Sequence, residues 1–325
     1  MHDEGTTFPV PLEHGIVPSS AFESVLKAFL SSQDIKDSSK VIYRAGLKQF
    51  LAWLKDNGIS NPNRNSILDY KAELKNRSLS PNSISVYIVG VRRFFEWTEG
   101  MKFYPNIARG VKAGKKSKGF KKDVLTLDQI KELFESIDRN TLRGKRDFAI
   151  LNLLLRTGLR TIEAIRADVG DIRQQSGEAV LWIQGKGRDG KDEFVLLTQD
   201  TLRPIYEYLK ERGDTKEKPL FASISDRNKG ERLTTKSIRR IVKDRLKAIE
   251  IVSDRLSAHS LRHTAVTLSL KAGSTIQEAQ ALARHSNINT TLFYAQNIDR
   301  IKNAAEKRID EILKQATEES HGSAG

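Results

Sequence analysis

Apolar residues recur at three- and four-residue spacing along most of this chain and switch to strict alternation only between Ala179 and Leu197. A 3.6-residue period buries one stripe of a helix, whereas a period of two buries one face of a strand. The pattern therefore predicts a mainly α protein with a small antiparallel β-sheet, an α+β class. Phe22, Val25, Leu26 and Phe29 form one helical stripe; Tyr43, Leu47, Phe50, Leu51 and Leu54 form a second, which Asn57-Gly58 closes. Ser66 to Lys75 makes a third helix, and Ser80-Pro81 opens a fourth carrying Ile84, Tyr87, Val91, Phe94, Phe95 and Trp97. These helices predict a small all-α domain over 20–106, preceded by a flexible proline-containing tail over 1–19.

Residues 107–123 change character. Lys112, Lys115, Lys116, Lys118, Lys121 and Lys122 stand there with three glycines and no acid before Asp123. The segment reads as a solvated basic linker, and its charge also suits a strap along a phosphate backbone. A second domain is expected over 124–298. Thr126 can cap a helix reciprocally with Gln129, and helices follow at about 127–138 and 145–157. Val180, Trp182 and Ile183 before Gly185–Gly190, with Phe194, Val195 and Leu196 after it, predict a β-hairpin. Helices resume near 201–212, 235–249, 260–272, 275–284 and 289–295. An amphipathic helix over 299–316, with Ile301, Ala305, Ile309 and Ile312 on one face, leads into a disordered tail over 317–325.

Composition narrows the function. Among 325 residues, 55 Lys and Arg against 41 Asp and Glu give a net charge of +14, which favours a polyanionic partner. Nucleic acid and anionic lipid satisfy charge equally, but no apolar run approaches the roughly 18 residues a spanning helix needs. The N-terminus, acidic and without an apolar core, is not a signal peptide. With no cysteine there are no disulfides, thiolate metal sites or thiol nucleophiles. A soluble cytoplasmic protein is expected.

Three of the six histidines fall in His259-Ser-Leu-Arg262-His263 and Arg284-His285; the others lie in polar termini. His259 and His263 stand four apart, as in a helical zinc pair, yet Ser260 occupies the place of the glutamate in HExxH. A helix beginning near Ser260 would leave His259 ahead of it, so the pair need not share a face. Read as electrophiles, the same residues suit phosphodiester cleavage. Direct attack at phosphorus builds charge on the non-bridging oxygens, and fixed guanidinium and imidazole donors stabilise it without a metal. Such a site also needs a nucleophile and a proton donor for the departing alkoxide. The glycines of Gly185–Gly190 do not make a P-loop, because the strand–loop–helix context is missing.

Four segments resemble the boxes of one family in order and spacing. Thr157-Gly-Leu-Arg160-Thr-Ile-Glu163 resembles the first conserved box of the tyrosine site-specific recombinases (integrases), and Gly185-Lys186-Gly187 their lysine-bearing β-turn. His259-Ser-Leu-Arg262-His263 is similar to their H-x-L-R-H box. His285-Ser-Asn-Ile-Asn-Thr-Thr-Leu-Phe-Tyr294 is similar to the closing box, with histidine nine residues before the tyrosine. The likeness covers about 20–316, since the N-terminal helices resemble the family's SAM-like core-binding domain.

The resemblance implies catalysis by Arg160, Lys186, His259, Arg262, His285 and Tyr294. Arg160 and Arg262 would hold the scissile phosphate, and His259 would serve in acid–base chemistry. His285 would support the phosphate and position the nucleophile, Lys186 would protonate the 5′-oxygen, and Glu163 would brace the site from behind. Tyr294 would attack to form a 3′-phosphotyrosine, with surrounding positive charge lowering the cost of its ionised form. No cofactor, metal or ATP is implied. His263 is expected to serve packing or a structural hydrogen bond. Arg284 stands where the family usually has glycine, which alters the packing of that turn or adds a DNA contact.

Partners implied are double-stranded DNA bearing a specific site, clamped between the two domains, and a tetramer on two such sites, the C-terminal helix docking on a neighbouring subunit. No arm-binding domain fits before residue 20, so the chain looks closer to Xer-like members than to lambda-type integrases. A type IB topoisomerase, and a DNA-binding regulator without catalysis, stay open as alternatives. The target sequence, host element, directionality and any accessory protein are not encoded in these motifs.

Overall fold

The computed structural model describes residues 19–114, 123–185, 187–213, 218–302 and 304–322, and the chain divides into two compact units at Gly119 and Phe120. The tail expected over 1–19 lies almost wholly outside the described residues, as do Lys115, Lys116, Lys118, Lys121, Lys122 and Lys186.

The first unit contains α1 (Ser19–Ser32), α2 (Asp37–Asp56), α3 (Arg64–Asn76) and α4 (Pro81–Gly100). Ser80 caps α4 by accepting from the Ser83 amide, with Pro81 in the first turn where its missing N–H is harmless. Phe29, Phe50, Ile67, Tyr70, Leu74, Ile88 and Val91 are fully buried between the helices. Two glycines let α2 and α4 approach: Gly46 lies under the Tyr87 ring and Gly90 under that of Tyr43. Part of the segment expected as a linker belongs to this core, since Ala108 and Val111 are buried in it. Lys112 is exposed, and its carbonyl accepts from Lys71 Nζ at 2.6 Å.

The second unit is organised around α6 (Leu142–Thr157), whose residues Ala149, Ile150, Leu151, Leu153 and Leu154 have no accessible surface. Such all-round burial makes α6 an interior helix, not an amphipathic surface one. It is preceded by α5 (Leu127–Glu135), closed by the expected reciprocal cap between Thr126 and Gln129, and followed by α7 (Thr161–Arg166). Three antiparallel strands follow in the order β1 (Ile172–Gln175), β2 (Glu178–Ile183) and β3 (Glu193–Leu196). The expected hairpin is β2–β3, paired Val180 to Leu196 and Trp182 to Phe194. Strand β1 was not foreseen, because Ile-Arg-Gln-Gln carries one apolar residue and no alternation. Its signature is the turn Ser176-Gly177, both in left-handed backbone, as a two-residue hairpin requires.

The remaining helices are α8 (Gln199–Arg212), α9 (Thr235–Ala248), α10 (Ala258–Lys271), α11 (Ile276–Ala283), α12 (Ile288–Lys302) and α13 (Ala305–Gly322). Two expectations are corrected here. The single C-terminal helix over 299–316 is the end of α12 and the start of α13, and the disordered tail over 317–325 is helical as far as Gly322. Thr317 to His321 contains neither glycine nor proline to stop the helix. Ile309, Ile312 and Leu313 of α13 are exposed. Among the described residues no helix is long and apolar enough to cross a membrane.

Asp147 ties α9 to α6. Its carboxylate accepts from Arg146 Nη2 at 2.8 Å and Arg245 Nη2 at 2.6 Å, and both Asp147 and Arg146 are buried. Replacing Asp147 with alanine leaves a buried guanidinium without its counter-charge. The substitution is expected to remove about 3–5 kcal/mol of stability, read as a lower urea midpoint for the second unit; a midpoint equal to wild type would contradict the assignment.

Candidate active site

Four helix ends meet at the C-terminus of α6. That helix stops because Gly158 adopts left-handed backbone, which glycine does at little cost. The released chain makes Arg160 the N-cap of α7 and places Glu163 one turn in. Glu163 has no accessible surface. One carboxylate oxygen accepts from the Arg160 amide at 2.7 Å and the other from Arg160 Nη1 at 2.6 Å.

Helix α10 supplies the next groups. Its N-cap is Ser257, in a reciprocal cap with Ser260, so the helix starts at Ala258 and not near Ser260. His259 and His263 therefore do share a face, with ring centroids 4.5 Å apart and edge to face. Among the described residues no cluster of three metal-ligating side chains exists. Arg262 is 2% exposed; Nη1 donates to the Gly158 carbonyl at 2.6 Å and Nη2 to that of Ala283.

From the other side come the end of α11 and the start of α12. Arg160 Nη2 donates to the Arg284 carbonyl at 3.3 Å, so the turn at 283–284 receives both arginines. His285 Nδ1 lies 3.0 Å from Thr291 Oγ1, and its ring is nearly parallel to that of Tyr294, centroids 6.1 Å apart. Tyr294 is 3% exposed, packed with Val266 and Ala283, and its hydroxyl is hydrogen-bonded to His263 Nδ1. Arg160, Glu163, His259, Arg262, His285 and Tyr294 are thus one cluster; Lys186 falls outside the described residues, and its neighbour Gly185 accepts from Arg166 Nη1 at 3.3 Å.

Two members were not assigned from sequence. His263 makes the structural hydrogen bond expected of it, but to the hydroxyl of Tyr294 itself. The signal was the Ser257–Ser260 cap, which moves the helix start forward and aligns His263 with His259. Arg284 is the second. It is the left-handed C-cap of α11, with φ of 51°, a conformation costing a non-glycine residue roughly 1–2 kcal/mol. Its side chain is only 8% exposed and Nη2 lies 3.1 Å from Glu163 Oε2, so it turns inward onto that carboxylate.

Electrostatics corrects a further expectation. Burial pushes the Tyr294 phenol up to about 12, and the nearby Arg262 offsets this only in part. Positive charge does not win over desolvation here. Burial, then the neighbouring Arg160 and Arg284, lowers Arg262 to about 10, so it is still charged at neutral pH. Burial first and nearby cations second bring His263 and His285 down to about 4, leaving both imidazoles neutral. The site is therefore a neutral phenol and neutral imidazoles beside three guanidiniums, two of which share the Glu163 carboxylate, an arrangement suited to a phosphate anion.

Residues 123–300 match the model of the phage integrase family, and residues 26–100 that of the phage integrase N-terminal SAM-like domain. A tyrosine recombinase of Synechococcus elongatus is 29% identical over 266 residues, covering 78% of this chain and 82% of the relative. The fold is similar to that of the XerH site-specific recombinase bound to its palindromic difH substrate. That likeness has a TM-score of 0.68 at 19% identity, over 89% of this chain and 85% of that one. It is also similar to a lambda integrase tetramer bound to a Holliday junction, with a TM-score of 0.68 at 16% identity, over 87% of this chain and 78% of that one.

A neutral buried imidazole makes stability depend on acid. The folded value of His263, about 4, is below its ordinary 6.5, so its contribution is complete above about 6.5 and is lost as pH falls toward 4. Thermal unfolding followed from pH 7 to 4 should therefore show a shallower decline in His263→Asn than in wild type. Parallel curves for the two proteins would refute the assignment.

Proposed function

The chain belongs to the phage integrase family, the tyrosine recombinases, which are DNA strand-transferring enzymes of site-specific recombination; from that membership we propose that it cuts and rejoins DNA through a covalent ester on Tyr294. The observation that carries the reading is the convergence of Arg160, Arg262, His259, His285 and Tyr294, from segments up to 134 positions apart in sequence, on the end of α6.

A scissile phosphate held by Arg160 and Arg262 brings one negative charge into the cluster and raises the proton affinity of the imidazoles. The Tyr294 oxygen attacks phosphorus, and its proton passes to the imidazole pair, with His263 Nδ1 already at hydrogen-bond distance. A bond forms between the phenolic oxygen and phosphorus as the bond to the 5′-oxygen breaks. Lys186, next after Gly185 in the sequence, gives its proton to that oxygen, leaving a 3′-phosphotyrosine and a free 5′-hydroxyl. Attack by a 5′-hydroxyl reverses the step and reseals a strand. The ester conserves the bond energy, so the exchange needs no nucleotide hydrolysis. His285 braces the phenol from its face and Glu163 holds Arg160 from behind.

Two such sites brought together by four copies would allow strand exchange, in the manner of the lambda integrase tetramer on a Holliday junction. The exposed Ile309, Ile312 and Leu313 of α13 support docking of that helix on a neighbouring subunit. Lys112 and the lysines at 115, 116, 118, 121 and 122 would follow the DNA backbone. The biological event is integration, excision or resolution of a mobile element, a plasmid or a chromosome dimer.

Incubation with nicked duplexes carrying random sequence around the nick should trap protein–DNA adducts stable to detergent. The same treatment of Tyr294→Phe should give none, and sequencing the trapped DNA identifies the site. Absence of adduct from the wild-type chain would leave only a binding protein, and relaxation of any supercoiled plasmid without a preferred site would indicate a topoisomerase. On a trapped sequence, Lys186→Ala should slow cleavage by on the order of a hundredfold or more with affinity retained; equal losses in rate and affinity would rule out its role as the acid.

A further inference from the structure

We propose that Arg284 is a positioning residue of this active site, which divides the charge of Glu163 and so keeps the Arg160 guanidinium available to the scissile phosphate. The inference rests on the strand-transfer reading above. A buried carboxylate facing a single arginine neutralises it: Glu163 takes both the amide and Nη1 of Arg160 at 2.7 and 2.6 Å, and a phosphate would have to compete with that pair. Arg284 changes the balance. Its Nη2 lies 3.1 Å from the Glu163 oxygen that also accepts the Arg160 amide, so two cations share one anion and the trio keeps a net positive charge.

The two partners of Glu163 differ in exposure. The Arg160 side chain is 30% exposed, whereas that of Arg284 is 8% exposed and engaged by the carboxylate behind it. Arg284 also donates to the carbonyls of Leu282 at 2.7 Å and Gly158 at 3.3 Å, fixing the turn whose own carbonyl receives Arg160 Nη2. The arrangement is held against local preference. The backbone at 284 is left-handed, and the buried Nε has no hydrogen-bond partner among the described residues. A glycine there would relieve both, so the arginine is explained by what its head group does, not by what the turn needs.

The test uses the full chain and a nicked duplex recovered in the adduct selection, with wild type, Arg284→Gly, Arg284→Lys, Glu163→Gln and the Arg284→Gly/Glu163→Gln double variant. Arg284→Gly should melt within a few degrees of wild type, bind the duplex with unchanged affinity and form adduct on the order of ten- to a hundredfold more slowly. Lysine keeps the charge but lacks the fork, so Arg284→Lys should recover part of that rate. Because Arg284 acts through Glu163, its removal should cost nothing further in the Glu163→Gln background. Four outcomes overturn the inference: an Arg284→Gly rate equal to wild type, a parallel loss of affinity, a collapse of the melting temperature, or multiplicative effects in the double variant. No adduct from wild type would instead sink the strand-transfer reading itself.

Discussion

A carboxylate with no access to water, held between two guanidiniums, is the constraint on which this site depends. Glu163 cannot be left without counter-charge at that depth, because desolvating a lone carboxylate is prohibitive. Arg160 and Arg284 are therefore fixed around it, and they come from α7 and the end of α11, segments distant in sequence. Satisfying one buried charge thus welds the first and last motifs of the second unit together.

The carbonyl of Gly158 performs a similar joining role in neutral form. A helix C-terminus leaves carbonyls without intrahelical partners, and this one receives Nη1 of Arg262 at 2.6 Å. The interior helix α6 thereby serves twice, as the apolar centre of the unit and as the bearing against which α10 sets its arginine. Tyr294 then closes the cluster from α12 by packing on Val266 and Ala283. Apolar burial sets the position of the Tyr294 ring, and polar pairing sets its hydroxyl.

Much of this was legible in the residues because it is locally encoded. The Thr126–Gln129 cap, the Ser80-Pro81 start and the β2–β3 alternation each state their structure within a few positions. The elements misread were those whose cause lies elsewhere. Strand β1 is nearly all polar and exists because β2 pairs with it. The start of α10 was placed too late because a serine in the reciprocal capping position is a weaker mark than glutamate. That Arg160, Glu163, Arg262 and Tyr294 belong together was expected from the resemblance of their motifs, but the inward turn of Arg284 was not. That orientation follows from a carboxylate 121 positions away. The sign of the Tyr294 perturbation also escaped prediction, since it depends on how deeply α12 seats the ring.

That seating has a consequence for the enzyme between encounters. A phenol poised at about 12 is ionised in roughly one molecule in a hundred thousand at neutral pH. On the proposed reading of Tyr294 as the nucleophile, the unbound protein thus holds that oxygen in its protonated, weakly nucleophilic form. On that reading, reactivity would belong to the DNA-bound complex and not to the free chain, so that dormancy would serve fidelity alongside recognition.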